Sequence, residues 1–436
     1  MNTFKKSLIA SAAAIAFCTP ALAVTDADIE ASFSPYKNGM PSFPGLEVGM
    51  VINQANADKF KEVLDPAAYQ LLKDGWFEMK VGETLDFALA KGYVEATRKN
   101  AAGVKLGEKP GELIGYVAGR PFPAAPDTKD PRAGEKLAWN FKYGINWGES
   151  ATIKPFYWQY RNAATGQVER NLTMEFHFLN FKHRTDVEPI PDILPNAANL
   201  YRANYIKVLE PKDLRNTQLL LQTYDDDAKQ NDAYLYLGFQ KRVRRLATGQ
   251  TTDAFLGSDM MIEDFEGYTG RVSEMKWTFL GTQNILMPYF KHTEAKLTDQ
   301  YQDPEGYKYV DFEGKGNCLP AITWQLRKVH VLQAEPLLPS HPVSKRLLYL
   351  DAQVMGASRS MVYDRKGELW KTLTVAKAHP DFHLPANKGS GIALDDAFSQ
   401  IDVQAQHCTT SQFKGWIDVK GNPPSIFQVQ NLRGGD

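Results

Sequence analysis

Residues 170–180 read RNLTMEFHFLN. Leu172, Met174, Phe176 and Phe178 alternate there with Thr173, Glu175 and His177, a period of two that a β-strand converts into one apolar and one polar face. The same pattern returns at 272–280, where Met275, Trp277 and Phe279 alternate with Glu274, Lys276 and Thr278. Similar runs lie near 234–239, 326–332, 347–354 and 360–374, the last interrupted by the hairpin signal Asp364-Arg365-Lys366-Gly367. No βαβ spacing appears, so the sheet is expected to be antiparallel. Many strands with one apolar face and few helices to cover it require the sheet to curl, to stack on another sheet, or to enclose something. Aromatic residues make up 11% of the chain, and such side chains line cavities as readily as they fill cores. A filled sandwich and a lined cavity therefore both stay open.

N-terminal to these strands the signal is helical. Asp65 is a good N-cap, Pro66 suits the first helical position and Gly75 is a stop, with Ala67, Ala68, Leu71 and Leu72 forming a short apolar face. A second helix is predicted from about 85 to 100, weakened by Gly92. We expect residues 24–135 to form a region of short helices acting as a lid or docking extension. Residues 136–436 are expected to form the antiparallel sheet, in one continuous domain with the preceding region.

At the start of the chain Lys5 and Lys6 precede an uncharged run and Ala21-Leu22-Ala23, the pattern of a cleaved signal peptide over 1–23. This directs the protein to the periplasm, and no later stretch is long and apolar enough to predict a transmembrane segment. Lipidation at Cys18 is disfavoured by the bulky Phe17 before it. The formal net charge is −1 and becomes more negative when the two lysines leave, which argues against a nucleic-acid partner. Removing the leader also removes Cys18, leaving Cys318 and Cys408. Two cysteines in an exported chain suggest one disulfide, the alternative being two buried thiols.

Motifs that would carry chemistry are incomplete. His379 and His383 have the spacing of two ligands on one helix face, but Pro380 and Pro385 prevent a helix. His177 and His183 lack a completing ligand set, and Asp225, Asp226 and Asp227 lack the glycine and glutamate of a calcium loop. Ser34-Pro-Tyr-Lys37 stands without its companion motifs, and Asp395-Asp396 reads as a solvated loop beside Gly389-Ser390-Gly391. No catalytic residue, metal or cofactor is therefore expected.

Residues 239–267, FQKRVRRLATGQTTDAFLGSDMMIEDFEG, join a basic strand end to an acidic, aromatic segment. Arg242 and Arg244 share one strand face and Lys241, Val243 and Arg245 the other, which places the segment at a sheet rim. The arginines either pair with Glu263, Asp264 and Glu266 to fasten the loop, or meet an anionic head group or a partner at a cavity mouth.

This stretch belongs with EATRKN at 95–100, GYVAGRPFP at 115–123, DPRAGEKLAWN at 130–140, GNCLPAITWQLRKVHVLQAE at 316–335, HPVSKRLLYLDAQ at 341–353 and YDRKGELWK at 363–371. In order and spacing the blocks resemble the exported bacterial proteins of the domain of unknown function 1329 family, related in fold to the lipoprotein carriers LolA and LolB. The resemblance implies an α+β, mainly β fold: a large, strongly curved antiparallel sheet, an unclosed barrel, with helices covering or plugging its concave side. It also implies a non-enzymatic periplasmic carrier for a hydrophobic or amphiphilic, lipid-like molecule. The implied partners are an outer-membrane channel-like protein and a resistance-nodulation-division type exporter. On that basis Leu172, Met174, Phe176, Phe178, Met275, Trp277 and Phe279 are expected to line the cavity, with Arg242, Arg244, Glu263 and Asp264 at its mouth. The rival readings are a periplasmic ester or lipid hydrolase and an envelope assembly factor that binds through an edge strand.

Overall fold

The computed structural model describes residues 24–247 and 250–432; the expected leader lies outside them. Four α-helices, α1 (Asp26–Phe33), α2 (Pro66–Lys73), α3 (Lys91–Asn100) and α4 (Ala133–Lys142), lie in the N-terminal third. Of the short strands among them, β1 (Val51–Ile52) and β2 (Met79–Val81) join the main sheet. The sheet proper begins with β3 (Ser150–Asn162), β4 (Val168–Asn180), β5 (Leu200–Glu210), β6 (Gln218–Tyr224), β7 (Asp232–Leu237) and β8 (Arg242–Arg245). It continues with β9 (Met275–Met287), β10 (Tyr289–Phe290), β11 (Thr323–Pro336), β12 (Val343–Asp351), β13 (Ala357–Asp364), β14 (Leu369–Ala378), β15 (Leu394–Asp402) and β16 (His407–Ile417).

Among the described residues these sixteen strands form one sheet, ordered β1-β2-β11-β12-β13-β14-β15-β16-β3-β4-β5-β6-β7-β8, with β9 also on β11 and β10 on β14. Pairing is antiparallel except for the short β2–β11 and β10–β14 contacts. The hairpin anticipated at Asp364–Gly367 is present: Asp364 Oδ1 accepts from the Lys366 and Glu368 amides at 2.9 and 3.0 Å, and Gly367 takes φ 81°.

Helix α2 forms as read, its N-cap Asp65 accepting from the Ala68 amide at 2.8 Å. The other oxygen of Asp65 accepts from Arg359 Nε on β13 at 2.7 Å, so the helix start is clamped to the sheet. The helix expected from about 85 begins instead at Lys91, because Leu85 is drawn along β11: its carbonyl accepts from Arg327 Nη1 at 2.7 Å. A side chain at Gly92 would bring its Cβ to 2.2 Å from the Thr185 carbonyl, so the packing of α3 demands glycine there. The run expected to extend from 272 starts at Met275, since residues 272–274 form a 3₁₀ turn.

Cross-strand pairs trace one face of the sheet. Phe279, Leu332, Leu348, Ser360, Leu373, Gln400, Thr409 and Tyr160 form one row, and Val375, Phe398, Ser411, Trp158 and Leu172 form the next. The sets around Leu172 and Met275 thus share a face. Helix α4 covers one part of it, packing Leu137 and Trp139 with Trp277, Leu332 and Leu348. The segment 255–265 covers the middle, where Phe255, Met260, Ile262 and Phe265 join Trp158, Leu172, Met174 and Phe176. The opposite face is covered by α2 and by Trp76, Phe312 and Leu319, which pack with Trp324 of β11. The Cys318–Cys408 disulfide lies within this second cluster, its α-carbons 5.9 Å apart.

The expected strongly curved, unclosed barrel is not what forms. The fold is α+β and mainly β, but the sheet runs open from the β9 and β1–β2 end to β8, neither closing nor curling strongly. An apolar sheet face must be covered by something, and here other parts of the chain supply the cover, so the sheet need not roll up to bury its own surface.

Candidate functional site

The aromatic middle of the sheet is the site that the strand pattern builds. Trp158, Leu172, Met174, Phe176 and Phe178 are buried on β3 and β4. Phe176 stacks on Phe178 with ring centroids 4.4 Å apart, and Phe178 on Trp147 at 4.9 Å. Phe255 and Phe265 descend onto this floor, 5.7 and 6.1 Å from Trp158, with Phe265 also 6.0 Å from Phe176. Met275 and Trp277 are buried against α4 on the same face and Phe279 is half-buried beside them. The sequence-derived apolar set therefore meets protein, in two neighbouring patches. A cleft of about 810 Å³ opens elsewhere, at Tyr157, Thr173, Lys207, Glu210, Tyr236 and Phe239. Thr173 alternates with Leu172, so that cleft belongs to the opposite face.

The covering segment consists of short 3₁₀ turns, with Leu256 and Glu266 at positive φ (50° and 57°). Besides its buried apolar side chains, it is held by polar groups that reach up from the sheet. Tyr160 on β3 donates to the Leu256 carbonyl at 2.8 Å, and Lys371 on β14 donates to the Asp259 carbonyl at 2.6 Å. Thr409 Oγ1 and His407 Nδ1 on β16 meet Asp259 Oδ2 at 2.7 and 2.8 Å. Arg346 on β12, fully buried, donates to both Glu263 and Asp264, and His341 Nε2 stands 3.2 Å from Glu263. Arg202 on β5 completes the margin with Glu266 at 3.2 Å. Burial pushes the Glu263 carboxyl up, but the Arg346 charge and the His341 contact outweigh it and hold the group below the usual range. The hydrogen bond from His407 to Asp259 raises the imidazole above its ordinary value.

The loop does not fold back on its own base. Arg242 is exposed at the sheet edge, Arg244 donates to Gln240 at 2.9 Å and Arg245 pairs with Asp232. The acidic end instead crosses the sheet to Arg346, a residue that its sequence neighbourhood marks only as part of a strand. Rim position for β8 was legible in its mixed faces; the partner of the carboxylates was not.

Sequence reading named His383 and Asp396 separately and did not join them; it placed Asp395-Asp396 in a solvated loop, whereas both are buried on β15. His292, His383 and Asp396 bring three ligand-type atoms within 4.8 Å of one another, from segments with no common spacing. Asp396 is there because the β14–β15 register skips it between Asp395 and Ala397, a bulge that re-aims its side chain. Its Oδ2 is 2.5 Å from His292 Nδ1, and its Oδ1 accepts from the Tyr307 hydroxyl at 2.5 Å. Asn387 Oδ1 accepts from the Ile417 amide at 3.1 Å, so its amide nitrogen faces the Gly415 carbonyl at 3.0 Å and His383 Nδ1 at 3.0 Å. His383 Nδ1 is therefore an acceptor and its proton sits on Nε2, which faces Tyr307 at 3.0 Å. That tautomer has no lone pair to offer a metal at Nε2. Burial raises Asp396, but the two imidazoles beside it outweigh burial and keep it an anion far below the usual range. The arrangement clasps the loops at 292, 307 and 383 to the sheet. As sequence reading anticipated, His383 lies in a non-α-helical loop, between two 3₁₀ turns.

None of the described helices is long and apolar enough to cross a membrane. Residues 51–433 match the family described as "Protein of unknown function (DUF1329)". Among solved structures the chain is similar to a DUF1329 family protein from Desulfovibrio piger, at 16% identity and TM-score 0.48, covering 69% of this chain and 98% of that one. It is similar to a putative outer membrane lipoprotein-sorting protein domain from Vibrio parahaemolyticus, at 16% identity and TM-score 0.47, covering 71% and 100%. A LolA superfamily protein from Nitrosomonas europaea aligns at 12% identity and TM-score 0.37, covering 65% and 91%. No curated protein matches the chain.

Proposed function

This chain belongs to the DUF1329 family of proteins of unknown function, and from that premise we propose that it is a non-enzymatic periplasmic carrier. It binds a hydrophobic or amphiphilic, lipid-like molecule and passes it between components of the envelope. The observation that carries this reading is how the aromatic face is covered: by a segment of short turns, held by polar contacts as well as by its own apolar side chains, whose Phe255 and Phe265 occupy the place an apolar ligand would take. Lifting that segment uncovers Trp158, Phe176 and Leu172, and ligand burial there contributes about 25 cal/mol per Å² of apolar surface before ordering costs are subtracted. The disulfide supports an oxidising compartment. The partners in this reading are the channel-like outer-membrane protein and the exporter that the family resemblance implies, with residues 24–135 as a docking region.

The test is native mass spectrometry of exported protein purified without detergent, followed by solvent extraction. A single apolar or amphiphilic molecule bound to each chain is the expected result. Protein that carries nothing, and takes up no added polyene hydrocarbon, overturns the reading.

A further inference from the structure

The tethers under the covering segment describe a head-group site that the protein itself fills. Three side chains of the sheet converge on one residue, Asp259. Thr409 Oγ1 lies 2.7 Å and His407 Nδ1 2.8 Å from its carboxylate oxygen Oδ2, and Lys371 Nζ donates to its backbone carbonyl at 2.6 Å. These come from β14 and β16, the two strands that flank β15, with His407 at the start of β16 keeping 23% of its side-chain surface exposed. The Asp259 carboxylate itself is buried, at the margin of the apolar floor where His407 reaches solvent.

Beside this cradle sits Gln400 on β15, paired in register with Thr409 on one side and Leu373 on the other. Its side chain is fully buried, and among the described residues neither its amide nitrogen nor its amide oxygen has a hydrogen-bond partner. The same holds for the indole nitrogen of Trp158, on the same face two strands away. Buried amides are normally satisfied, and an orphaned one asks for an explanation, a bound ligand being one. Gln400 thus lies between the polar Thr409 of the cradle and the apolar Leu373 and Phe398.

We propose that Asp259 occupies the site of a ligand carboxylate, and that the cargo is a long-chain acyl carboxylate. In the loaded protein its head group replaces the Asp259 side chain on Thr409 and His407, takes the donor that Lys371 now spends on the Asp259 carbonyl, and accepts from the Gln400 amide. Its chain lies along Phe398, Trp158 and Phe176 in place of Phe255 and Phe265. The covering segment is then a competitor for the ligand, and release follows when Asp259 returns. A phosphate head group fits less well, because the cradle offers a single permanent cation, Lys371, which already stands 3.9 Å from Asp402. The inference rests on the carrier reading and adds the chemistry of the cargo to it.

The experiment measures fluorescence titration of cis-parinaric acid and of its methyl ester against the full exported chain, its Asp259→Asn variant and its Gln400→Leu variant. Asp259→Asn is expected to bind the acid at least tenfold more tightly while ester binding changes less than twofold. Gln400→Leu removes an unpaired amide, so it is expected to fold with an unchanged or higher melting temperature and to bind the acid several-fold more weakly, with the ester unaffected. Equal gains for acid and ester in Asp259→Asn mean only that the segment has loosened, and overturn the head-group site while leaving the carrier reading intact. Unchanged acid binding in Gln400→Leu overturns it as well, whether or not Asp259→Asn folds. Failure of the wild-type chain to bind either probe removes the carrier reading itself.

Discussion

Arg346 and Glu263 stand 83 residues apart in the chain and meet beneath the covering segment, where the guanidinium donates to Glu263 and to its neighbour Asp264 at once. The arginine is fully buried and both carboxylates nearly so. This fork is what ties the acidic end of the 255–265 segment to the middle of the sheet.

Removing one partner of a buried ion cluster strands the others. Arg346→Met is therefore expected to destabilise the protein by about 3 to 5 kcal/mol, measured as the shift in urea-unfolding free energy. Restoring neutrality with Glu263→Gln and Asp264→Asn in the same chain should recover part of the loss. A single-variant cost below about 1 kcal/mol would show that the fork does not hold the segment.

The double change Arg242→Ala and Arg244→Ala should leave stability within about 0.5 kcal/mol, because Arg242 is exposed at the sheet edge and Arg244 is exposed with a contact to Gln240. Thermal unfolding of the double variant checks this. A loss of several degrees would return these arginines to the tethering role that their sequence position suggested.

The two ends of the covering segment should respond to pH in opposite directions. His407 titrates above its ordinary value beside Asp259, so its contribution is complete below about pH 6.5 and is lost as pH rises through the raised value. Glu263 titrates below its ordinary value, so its contribution is present above about pH 4.3 and is lost as pH falls through the depressed value. Comparing wild type with His407→Gln, the stability difference should be a few tenths to about 1 kcal/mol at pH 5.5 and should vanish at high pH. A difference that grows with pH would contradict the assignment.

The Cys318–Cys408 bridge spans a sequence separation of 90. Replacing both cysteines by serine, or reducing the bridge, should cost about 2 to 5 kcal/mol, read from urea unfolding with and without reductant. Non-reducing digestion followed by mass spectrometry should yield the linked peptide, and two freely alkylated thiols would refute the pairing.

Much of the local structure was legible because it depends on neighbours in the chain. Alternation at Leu172–Phe178 follows from the two-residue period of a strand, and the Asp65–Pro66 start of α2 from the donors that a helix end leaves free. The hairpin turn at Asp364–Gly367 is local in the same way. The His292–His383–Asp396–Tyr307 clasp was not legible, since its members come from four separate segments and Asp396 reaches it only through a bulge. Nor could residue patterns reveal that Asp259 sits on Thr409 and His407, roughly 150 residues further along.

The amino-acid sequence by itself determined the antiparallel strands, the shared apolar face, and the position of the basic stretch at a rim, and with an expected leader removed it pointed to the Cys318–Cys408 pair. Each rests on periodicity, on residue count or on the chemistry of a short segment. Only the tertiary structure decided that the sheet stays open, that the segment 255–265 covers its aromatic middle, and that Arg346 rather than Arg242 and Arg244 meets Glu263 and Asp264. Periodicity states that a face must be buried and is silent about what buries it. That choice is made between surfaces brought together from distant parts of the chain, where packing and charge pairing are settled all at once.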